Sequence, residues 1–262
     1  MSDNTIYLIT GANRGIGLHL TALLLARPNT TVIATSRTPS ITPASIPGTL
    51  HPTSKLIPFL LDESNPVINH ASLRARLAAE YPDVTRLDVV VANAGGSSGF
   101  KDVLGTEPEE IARDLEVNTL GAVRLFQAVV GLLLGEGGDV DGVGEEDKGR
   151  KRFVVVSSSV GSIGALEMEN FPGVGYGMSK AATNWWARKV SLEFAAKGLL
   201  VGVLHPGWVK TAMGQAMADA VGFPEPPLSS EESAKGVLTQ IENLTPEKSG
   251  QFLAWNGMNL PW

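Results

Sequence analysis

Cysteine is absent from the 262-residue chain, which excludes disulfide bonds, thiol catalysis and cysteine-based zinc sites. Aromatic residues make up only 6% of the sequence and charged residues 18%, and the net charge is −6. A mildly acidic chain with scattered charges lacks the basic patches that bind phosphate backbones. We therefore expect no nucleic-acid partner.

Long hydrophobic runs and metal-ligand patterns are also missing. The longest apolar stretch, 122–134, is interrupted by Arg124 and Gln127 and is shorter than the ~20 residues that cross a bilayer. The histidines show no ligand spacing, so we expect no metal. The first strand begins so close to the N-terminus that no signal peptide fits before it. These absences predict a cytoplasmic protein without a membrane partner.

Apolar runs alternate along the chain with segments of helical periodicity. Strands are predicted at 6–9, 31–35, 56–61, 87–92, 152–157, 199–205 and 251–254, and helices at 16–26, 71–80, 108–134, 177–197 and 231–244. The strands are continuous apolar runs, which is typical of strands buried on both faces. The order predicts an α/β fold: one Rossmann-type doubly wound domain over 1–262, with a seven-stranded parallel sheet flanked by helices on both faces.

One segment interrupts this alternation. Residues 135–152 are rich in glycine and acidic residues and end on Arg150-Lys151-Arg152. Because both flanks continue the same pattern, we expect a mobile surface insertion rather than a domain boundary. An interaction tail is the alternative interpretation.

A glycine-rich turn follows the first strand and reads Thr10-Gly11-Ala12-Asn13-Arg14-Gly15-Ile16-Gly17. Such a turn brings bare backbone N–H groups to a helix N-terminus, where the helix dipole favours negative charge. It predicts a pyrophosphate site for a dinucleotide, formed by Gly11, Asn13, Arg14, Gly15, Ile16 and Gly17. A glycine-rich turn without a ligand is the alternative. No Walker-type phosphate loop occurs, which argues against ATP or GTP hydrolysis.

The end of the second predicted strand indicates which dinucleotide is bound. NAD sites usually place an acidic residue there, to contact the ribose hydroxyls, but this strand is followed by Arg37. A guanidinium pairs with a 2′-phosphate, and Arg14 adds a second cation nearby, so we expect NADP(H). Alternatively, Arg37 merely begins a surface loop. Asp62, after the third strand, is either a contact to the adenine edge or a plain strand-end turn.

Tyr176 and Lys180 are four residues apart, so on a helix they share one face. With an ordinary pKa near ~10, about one tyrosine in a thousand is ionised at neutral pH, and a neighbouring ammonium lowers that pKa. The pair suits hydride chemistry in which the phenol exchanges a proton with a carbonyl oxygen; chance spacing is the alternative. Ser158, at the carboxyl end of a predicted strand, either holds a substrate carbonyl or caps the strand.

These motifs occur in an order that resembles the short-chain dehydrogenase/reductase family over nearly the whole chain. The matching pieces are Thr10-Gly11-x-x-x-Gly15-x-Gly17, Asn93-Ala94-Gly95, Asn118, Ser158, Tyr176-x-x-x-Lys180 and Pro206-Gly207. Residues 205–211, 159–163 and the terminal Leu260-Pro261-Trp262 are similar to the branch of sniffer-type carbonyl reductases and fungal norsolorinic acid ketoreductase-like enzymes.

The resemblance implies a role for each matching residue. Tyr176 would be the acid/base, Lys180 would bind the nicotinamide ribose and lower the tyrosine pKa, and Ser158 would orient the carbonyl. Asn118 would hold a water in a proton relay.

Further implied roles concern the cofactor. In Asn93-Ala94-Gly95, Asn93 would support the central sheet beside the cofactor. Pro206, Gly207, Val209 and Thr211 would lie near the nicotinamide carboxamide.

The resemblance also bears on the substrate and on assembly. Residues 211–230 would form a mobile lid whose apolar side chains suit a hydrophobic substrate, or else a helical excursion packed on the core. The spacing from Ser158 to Tyr176 exceeds the family's usual thirteen residues, so 167–174 would bulge over the pocket. Family members commonly form homodimers or homotetramers through helices equivalent to 108–134 and 177–197.

The expected function is NADPH-dependent reduction of a ketone or aldehyde on a moderately apolar small molecule, with the proton supplied by Tyr176. Two alternatives stay open. One is a non-catalytic NADP(H)-binding sensor. The other keeps the fold but acts as an imine reductase or cyclase in secondary metabolism.

Overall fold

A computed structural model describes residues 4–61, 66–135 and 151–262, with the backbone alone at 66–71. Its centre is a seven-stranded parallel sheet in the order β3-β2-β1-β4-β5-β6-β7. The strands are β1 Thr5–Ile9, β2 Thr30–Ser36, β3 Lys55–Leu60, β4 Val89–Ala92, β5 Arg152–Val156, β6 Leu200–His205 and β7 Phe252–Ala254. The predicted α/β fold with seven parallel strands is confirmed.

Helices cover both faces of the sheet. They are α1 Gly15–Leu25, α2 Pro66–Glu80, α3 Pro108–Leu115, α4 Gly121–Leu134, α5 Val174–Glu193, α6 Ala212–Ala220 and α7 Ser230–Glu242. One core joins the sheet to α2, α4 and α5, and a second joins it to α1 and α7. Strands β1, β2, β4, β5, β6 and β7 are therefore buried almost throughout, as their continuous apolar sequences predict. The edge strand β3 differs, because its buried and exposed residues alternate.

The strand order reverses between β1 and β4, which pair side by side through Ile9 and Val91. In an open parallel sheet, the loops that follow two such strands diverge and leave a crevice at their carboxyl ends. The loops after β1, β4, β5 and β6 all meet at this edge. The topology thus places the sequence motifs in one region.

The chain runs helically without interruption from Pro108 to Leu134, because a π-helical turn, Glu116–Leu120, connects α3 to α4. This 27-residue helix is long and apolar enough to cross a membrane by length and composition, although half of its most apolar window is buried. Leu125, Phe126 and Val129 pack into the core beside the sheet. The helix predicted at 108–134 is confirmed with these bounds.

Two predicted segment boundaries need correction. Residues 136–150 of the predicted insertion lie outside the described residues, but the last residue of that segment, Arg152, belongs to the sheet, and Lys151 directly precedes it. The Lys151 ammonium is buried and donates to Asp88 Oδ1 at 2.7 Å, and Arg152 opens β5. Helix α5 begins at Val174, three residues before the predicted start, so that Tyr176 lies within its first turn.

Candidate active site

The glycine turn after β1 requires residues without a Cβ atom. Gly11 and Gly15 have φ angles of +63° and +54°, which side chains with a Cβ rarely adopt. A Cβ on Gly17 would lie 2.4 Å from the Gly11 carbonyl oxygen and 2.6 Å from Asn93 Nδ2. Gly17 therefore serves close packing behind the turn, and its predicted contact with the cofactor stays a prediction.

Asn93 fastens the end of β4 to the end of β1. Its Nδ2 donates to the carbonyl oxygens of Thr10 at 2.9 Å and Gly11 at 3.3 Å. The Thr10 hydroxyl oxygen in turn accepts from the backbone N–H groups of Asn93 and Ala94. This arrangement agrees with the supporting role expected of Asn93 and holds the glycine turn in shape.

A cavity of about 1130 Å³ opens at this edge of the sheet. Sixteen predicted site residues line it: Gly11, Asn13, Arg14, Gly15, Ile16, Arg37, Asn93, Ala94, Gly95, Ser158, Tyr176, Lys180, Pro206, Gly207, Val209 and Thr211. The volume exceeds the ~300–1,000 Å³ of pockets that hold one small ligand. The cavity therefore has room for a dinucleotide beside a second molecule.

One end of the cavity is positively charged. Arg14 and Arg37 are exposed there, and neither forms an ion pair with any residue that the structure describes. Arg14 is also the N-cap residue of α1 and makes no side-chain cap, so the first N–H groups of α1 lack that partner. These features fit the phosphates of a dinucleotide. Asp62 lies outside the described residues.

Ser158, Tyr176 and Lys180 meet at the opposite end. The Lys180 ammonium donates to the Val156 carbonyl at 2.8 Å and lies 5.7 Å from the centroid of the Tyr176 ring. A Cβ on Gly161 would lie 2.6 Å from Lys180 Cβ, so the loop after β5 packs directly on α5. This contact is what brings the serine hydroxyl and the phenol to the same wall.

Burial sets the protonation of these groups. Desolvation raises the pKa of Tyr176 to about 12, although a hydrogen bond from Ser158 opposes the rise. Desolvation also lowers the pKa of Lys180 to about 8. The net shift of the Tyr176 pKa is therefore upward, with loss of hydration as its largest cause. The lowering by Lys180 that the family resemblance implies stays a prediction. The phenol keeps its proton at neutral pH, as a proton donor must.

Asn118 lies behind the cavity wall, in the π-helical turn. Its Oδ1 accepts from the Gly96 N–H at 2.8 Å, while Nδ2 donates to the Gly96 carbonyl at 2.8 Å and to Ser179 Oγ at 2.9 Å. The side chain thus positions the loop after β4 against α5. Because both N–H donors are already used, the amide can hold a relay water only through a remaining oxygen lone pair. That role stays a prediction.

Further cavity residues were expected only as members of segments: Met213 and Met217 in the predicted lid 211–230, and Glu169 and Phe171 in the predicted bulge 167–174. Phe171 and Trp208 form an aromatic wall, with ring centroids 5.9 Å apart, and Met213 and Met217 of α6 extend it. Glu169 also lines the cavity. Glu169 and Phe171 belong to the segment 162–173, which we call the inserted segment. The long Ser158–Tyr176 spacing was the one signal that pointed to them.

The residues after Pro206-Gly207 frame the remaining wall. Thr211 caps α6 by accepting from the Gly214 N–H at 3.0 Å, and its methyl group would lie 3.2 Å from a Cβ on Gly15. This contact joins the two loops on either side of the cavity. Among the described residues, no group of three His, Asp or Glu side chains is arranged to hold a metal ion.

Comparison with known proteins agrees with this geometry. Residues 5–221 match the family model described as short chain dehydrogenase. The chain belongs to the short-chain dehydrogenase family. It is 32% identical to the norsolorinic acid ketoreductase of Aspergillus parasiticus, over 99% of this chain and 92% of that protein.

Solved structures of this family have the same architecture. A carbonyl reductase from chicken fatty liver, solved with NADPH bound, is 28% identical with a TM-score of 0.79, and each chain is covered over 99% of its length. The carbonyl reductase Sniffer of D. melanogaster gives 25% identity, a TM-score of 0.79 and the same coverage. The resemblance drawn from the sequence motifs is confirmed.

This short-chain dehydrogenase is thus an oxidoreductase of a family that binds a nicotinamide cofactor. The residues present fit such a group. Two glycines with positive φ angles bare the backbone at the start of α1. The guanidinium groups of Arg14 and Arg37, which have no ion-pair partner in the part of the chain that the structure describes, line the same cavity. The reacting wall of Ser158, Tyr176 and Lys180 lies at the other end.

Proposed function

We propose that this short-chain dehydrogenase uses NADPH to reduce a ketone or aldehyde group on a moderately apolar small molecule. One observation carries the proposal: Ser158, Tyr176 and Lys180 line the same cavity as the glycine turn. A protein that only sensed a dinucleotide would need the turn alone. The complete reacting wall favours catalysis.

The residues of the chain divide the work of the reduction. NADPH, when bound, supplies the hydride. The Ser158 hydroxyl and the Tyr176 phenol would both donate hydrogen bonds to the carbonyl oxygen, on which negative charge develops. With a pKa of about 12, the phenol holds its proton until an alkoxide-like oxygen forms, and then transfers it. The Lys180 ammonium would stabilise the resulting phenolate.

Preference for NADPH over NADH is supported by charge. Arg14 and Arg37 would pair with a 2′-phosphate through charge-assisted hydrogen bonds. A carboxylate that would repel the phosphate is absent from the end of β2, which reads Ala34-Thr35-Ser36 before Arg37. The structure of the similar carbonyl reductase from chicken fatty liver has NADPH bound, which supports the same choice here.

The cavity wall supports an apolar substrate. Phe171, Trp208, Met213 and Met217 line the same cavity as Tyr176, and the thioether side chains adapt to irregular shapes. The similarity to a norsolorinic acid ketoreductase also favours a ketone. Since 211–230 contributes both methionines, we propose that this segment acts as a lid.

The decisive experiment replaces Tyr176 by Phe. We expect turnover of NADPH with a reactive ketone to fall by about 10²–10⁴-fold, because the proton donor is lost, while NADPH binding stays nearly unchanged. Stopped assays of NADPH oxidation and fluorescence titration of the cofactor measure the two quantities. Wild-type rates in the Phe variant would refute the mechanism, and a wild-type enzyme that is silent with a wide ketone panel would favour the sensor.

Assembly and location complete the proposal. Met178, Trp185 and Leu192 are exposed on α5, Trp185 by 70%, and their spacing of seven residues places them on one stripe of the helix. We propose that this stripe is covered in a homodimer or homotetramer, and that the enzyme acts in the cytoplasm.

A further inference from the structure

A polar cluster lies in the cavity wall directly beside the reacting groups. It consists of Ser159, which follows Ser158, Glu169 of the inserted segment, and His205 at the end of β6. The Ser159 hydroxyl donates to Glu169 Oε2 at 2.9 Å. The Ser159 backbone N–H donates to His205 Nδ1 at 3.1 Å, and His205 Nε2 lies 3.5 Å from the Ser159 hydroxyl oxygen.

The hydrogen bonds of this cluster run in one direction. Because His205 Nδ1 accepts a backbone N–H, a neutral ring carries its proton on Nε2. Desolvation lowers the pKa of His205 to about 4, so the ring is neutral at physiological pH. The order is then His205 Nε2–H toward Ser159, and Ser159 O–H toward Glu169. The carboxylate of Glu169 is the final acceptor.

The hydrogen bond from Ser159 leaves other acceptor sites of the Glu169 carboxylate available. Each ionised carboxylate has about four lone-pair sites, and Ser159 occupies one. Within the described residues, no lysine, arginine or histidine forms an ion pair with Glu169. The neutral His205 supplies no compensating charge. A half-buried negative group facing a cavity therefore favours a molecule that brings a hydrogen-bond donor.

The residues around Glu169 indicate which class of substrate fits the cavity. Phe171, two residues from Glu169, and Trp208, three residues from His205, line the same cavity as the polar cluster, with their ring centroids 5.9 Å apart. A substrate body that fills this space is apolar and contacts the rings. Its donor group then meets Glu169, while its carbonyl meets Ser158 and Tyr176.

We propose that Glu169 is a specificity-determining residue that accepts a hydrogen bond from an N–H or O–H group on the apolar carbonyl substrate. Ser159 and His205 position its carboxylate. Hydroxyl and ammonium substituents are both recognised, and a carboxylate substituent is rejected by like charge. This inference rests on the proposed ketone reduction and adds the class of substrate.

The test compares matched ketones that differ in one substituent. The probes are acetophenone and its 3′- and 4′-hydroxy, aminomethyl and carboxylate derivatives, assayed with NADPH. We expect kcat/KM of the wild-type enzyme to be about tenfold or more higher for the better hydroxy or aminomethyl isomer than for acetophenone, since hydrogen bonds to charged groups contribute that much. The carboxylates should react more slowly than acetophenone.

Three variants locate the effect. In Glu169→Ala, the ratio of kcat/KM for donor-bearing ketones to that for acetophenone should fall to near one. In Glu169→Gln, the hydroxy ketones should keep part of their advantage, because an amide oxygen still accepts, while the aminomethyl ketones lose theirs. Glu167→Gln is the matched control: Glu167 is exposed in the same inserted segment and does not line the cavity, so its ratios should stay at the wild-type values.

Binding measurements separate this inference from the proposed reaction. Calorimetric dissociation constants of the same ketones should show the same Glu169-dependent ratio even if turnover is absent, in which case the reaction fails and the recognition holds. If Glu169→Ala retains the wild-type ratios in both assays, the inference is overturned while ketone reduction stands. A wild-type ratio near or below one for every donor-bearing ketone overturns it equally.

Discussion

Replacement of Arg37 by Ala tests the cofactor preference most directly. Arg37 is exposed and has no ion-pair partner among the described residues, so its loss leaves no buried charge behind. If Arg37 pairs with a 2′-phosphate as proposed, the substitution removes that interaction. Hydrogen bonds to charged groups contribute about 1.5–3 kcal/mol, and the exposure of this guanidinium places its contribution near the lower limit.

A loss of about 1.5 kcal/mol corresponds to a roughly tenfold fall in kcat/KM for NADPH. In Arg37→Glu, like-charge repulsion of about 1 kcal/mol in water adds to this loss, for a total of roughly fiftyfold. NADH has no 2′-phosphate, so its kcat/KM should be unchanged by the Ala variant. The difference between the variants should also shrink at high salt, because exposed charges are screened.

The assay is initial-rate NADPH and NADH oxidation at saturating ketone. Lys55→Ala is the control, because it removes one exposed positive charge at the start of β3, the end of the strand opposite the cavity. If Arg37→Ala leaves the ratio of NADPH to NADH efficiencies unchanged, or if Lys55→Ala lowers it equally, the proposed role of Arg37 is refuted.

Three further predictions concern packing, pH and assembly. Gly17→Ala should lower the free energy of unfolding by about 1–3 kcal/mol through overpacking, whereas Gly96→Ala, with open space around it, should cost far less; urea titrations measure both. Burial depresses the His205 pKa to about 4, below its ordinary 6.5, so the stability it contributes is present above pH 6.5 and is lost as pH falls toward 4. The stability difference between wild type and His205→Gln should therefore change by up to about 1.4 kcal/mol per pH unit in this window and stay constant above it. Trp185→Glu should shift the mass measured by light scattering toward the monomer, and an unchanged mass would show that the α5 stripe is not an interface.

Much of the fold was predictable because its signals are local. Strands buried on both faces read as continuous apolar runs, and the glycine turn is fixed by eight consecutive residues. Tyr176 and Lys180 were recognisable because helical spacing alone puts them on one face. The boundaries of the helical segments were less certain, as the earlier start of α5 at Val174 shows.

The remaining features depend on contacts between distant parts of the chain. The role of Gly17 became visible only from its distance to the Gly11 carbonyl and Asn93. The direction of the Tyr176 pKa shift depends on how completely the cavity wall removes water. Ser159, Glu169 and His205 come from three separate segments, so no spacing rule connects them.

The close contact at Gly161 has a consequence for how such an enzyme changes over evolutionary time. The backbone at Gly161 packs directly against Lys180. The position of Lys180 is therefore fixed by a contact that lies outside the inserted segment 162–173. Changes in the length or sequence of the inserted segment can then alter substrate specificity without affecting hydride or proton transfer. The residues that carry out the reaction and the residues that select the substrate thus lie on neighbouring segments that can evolve separately.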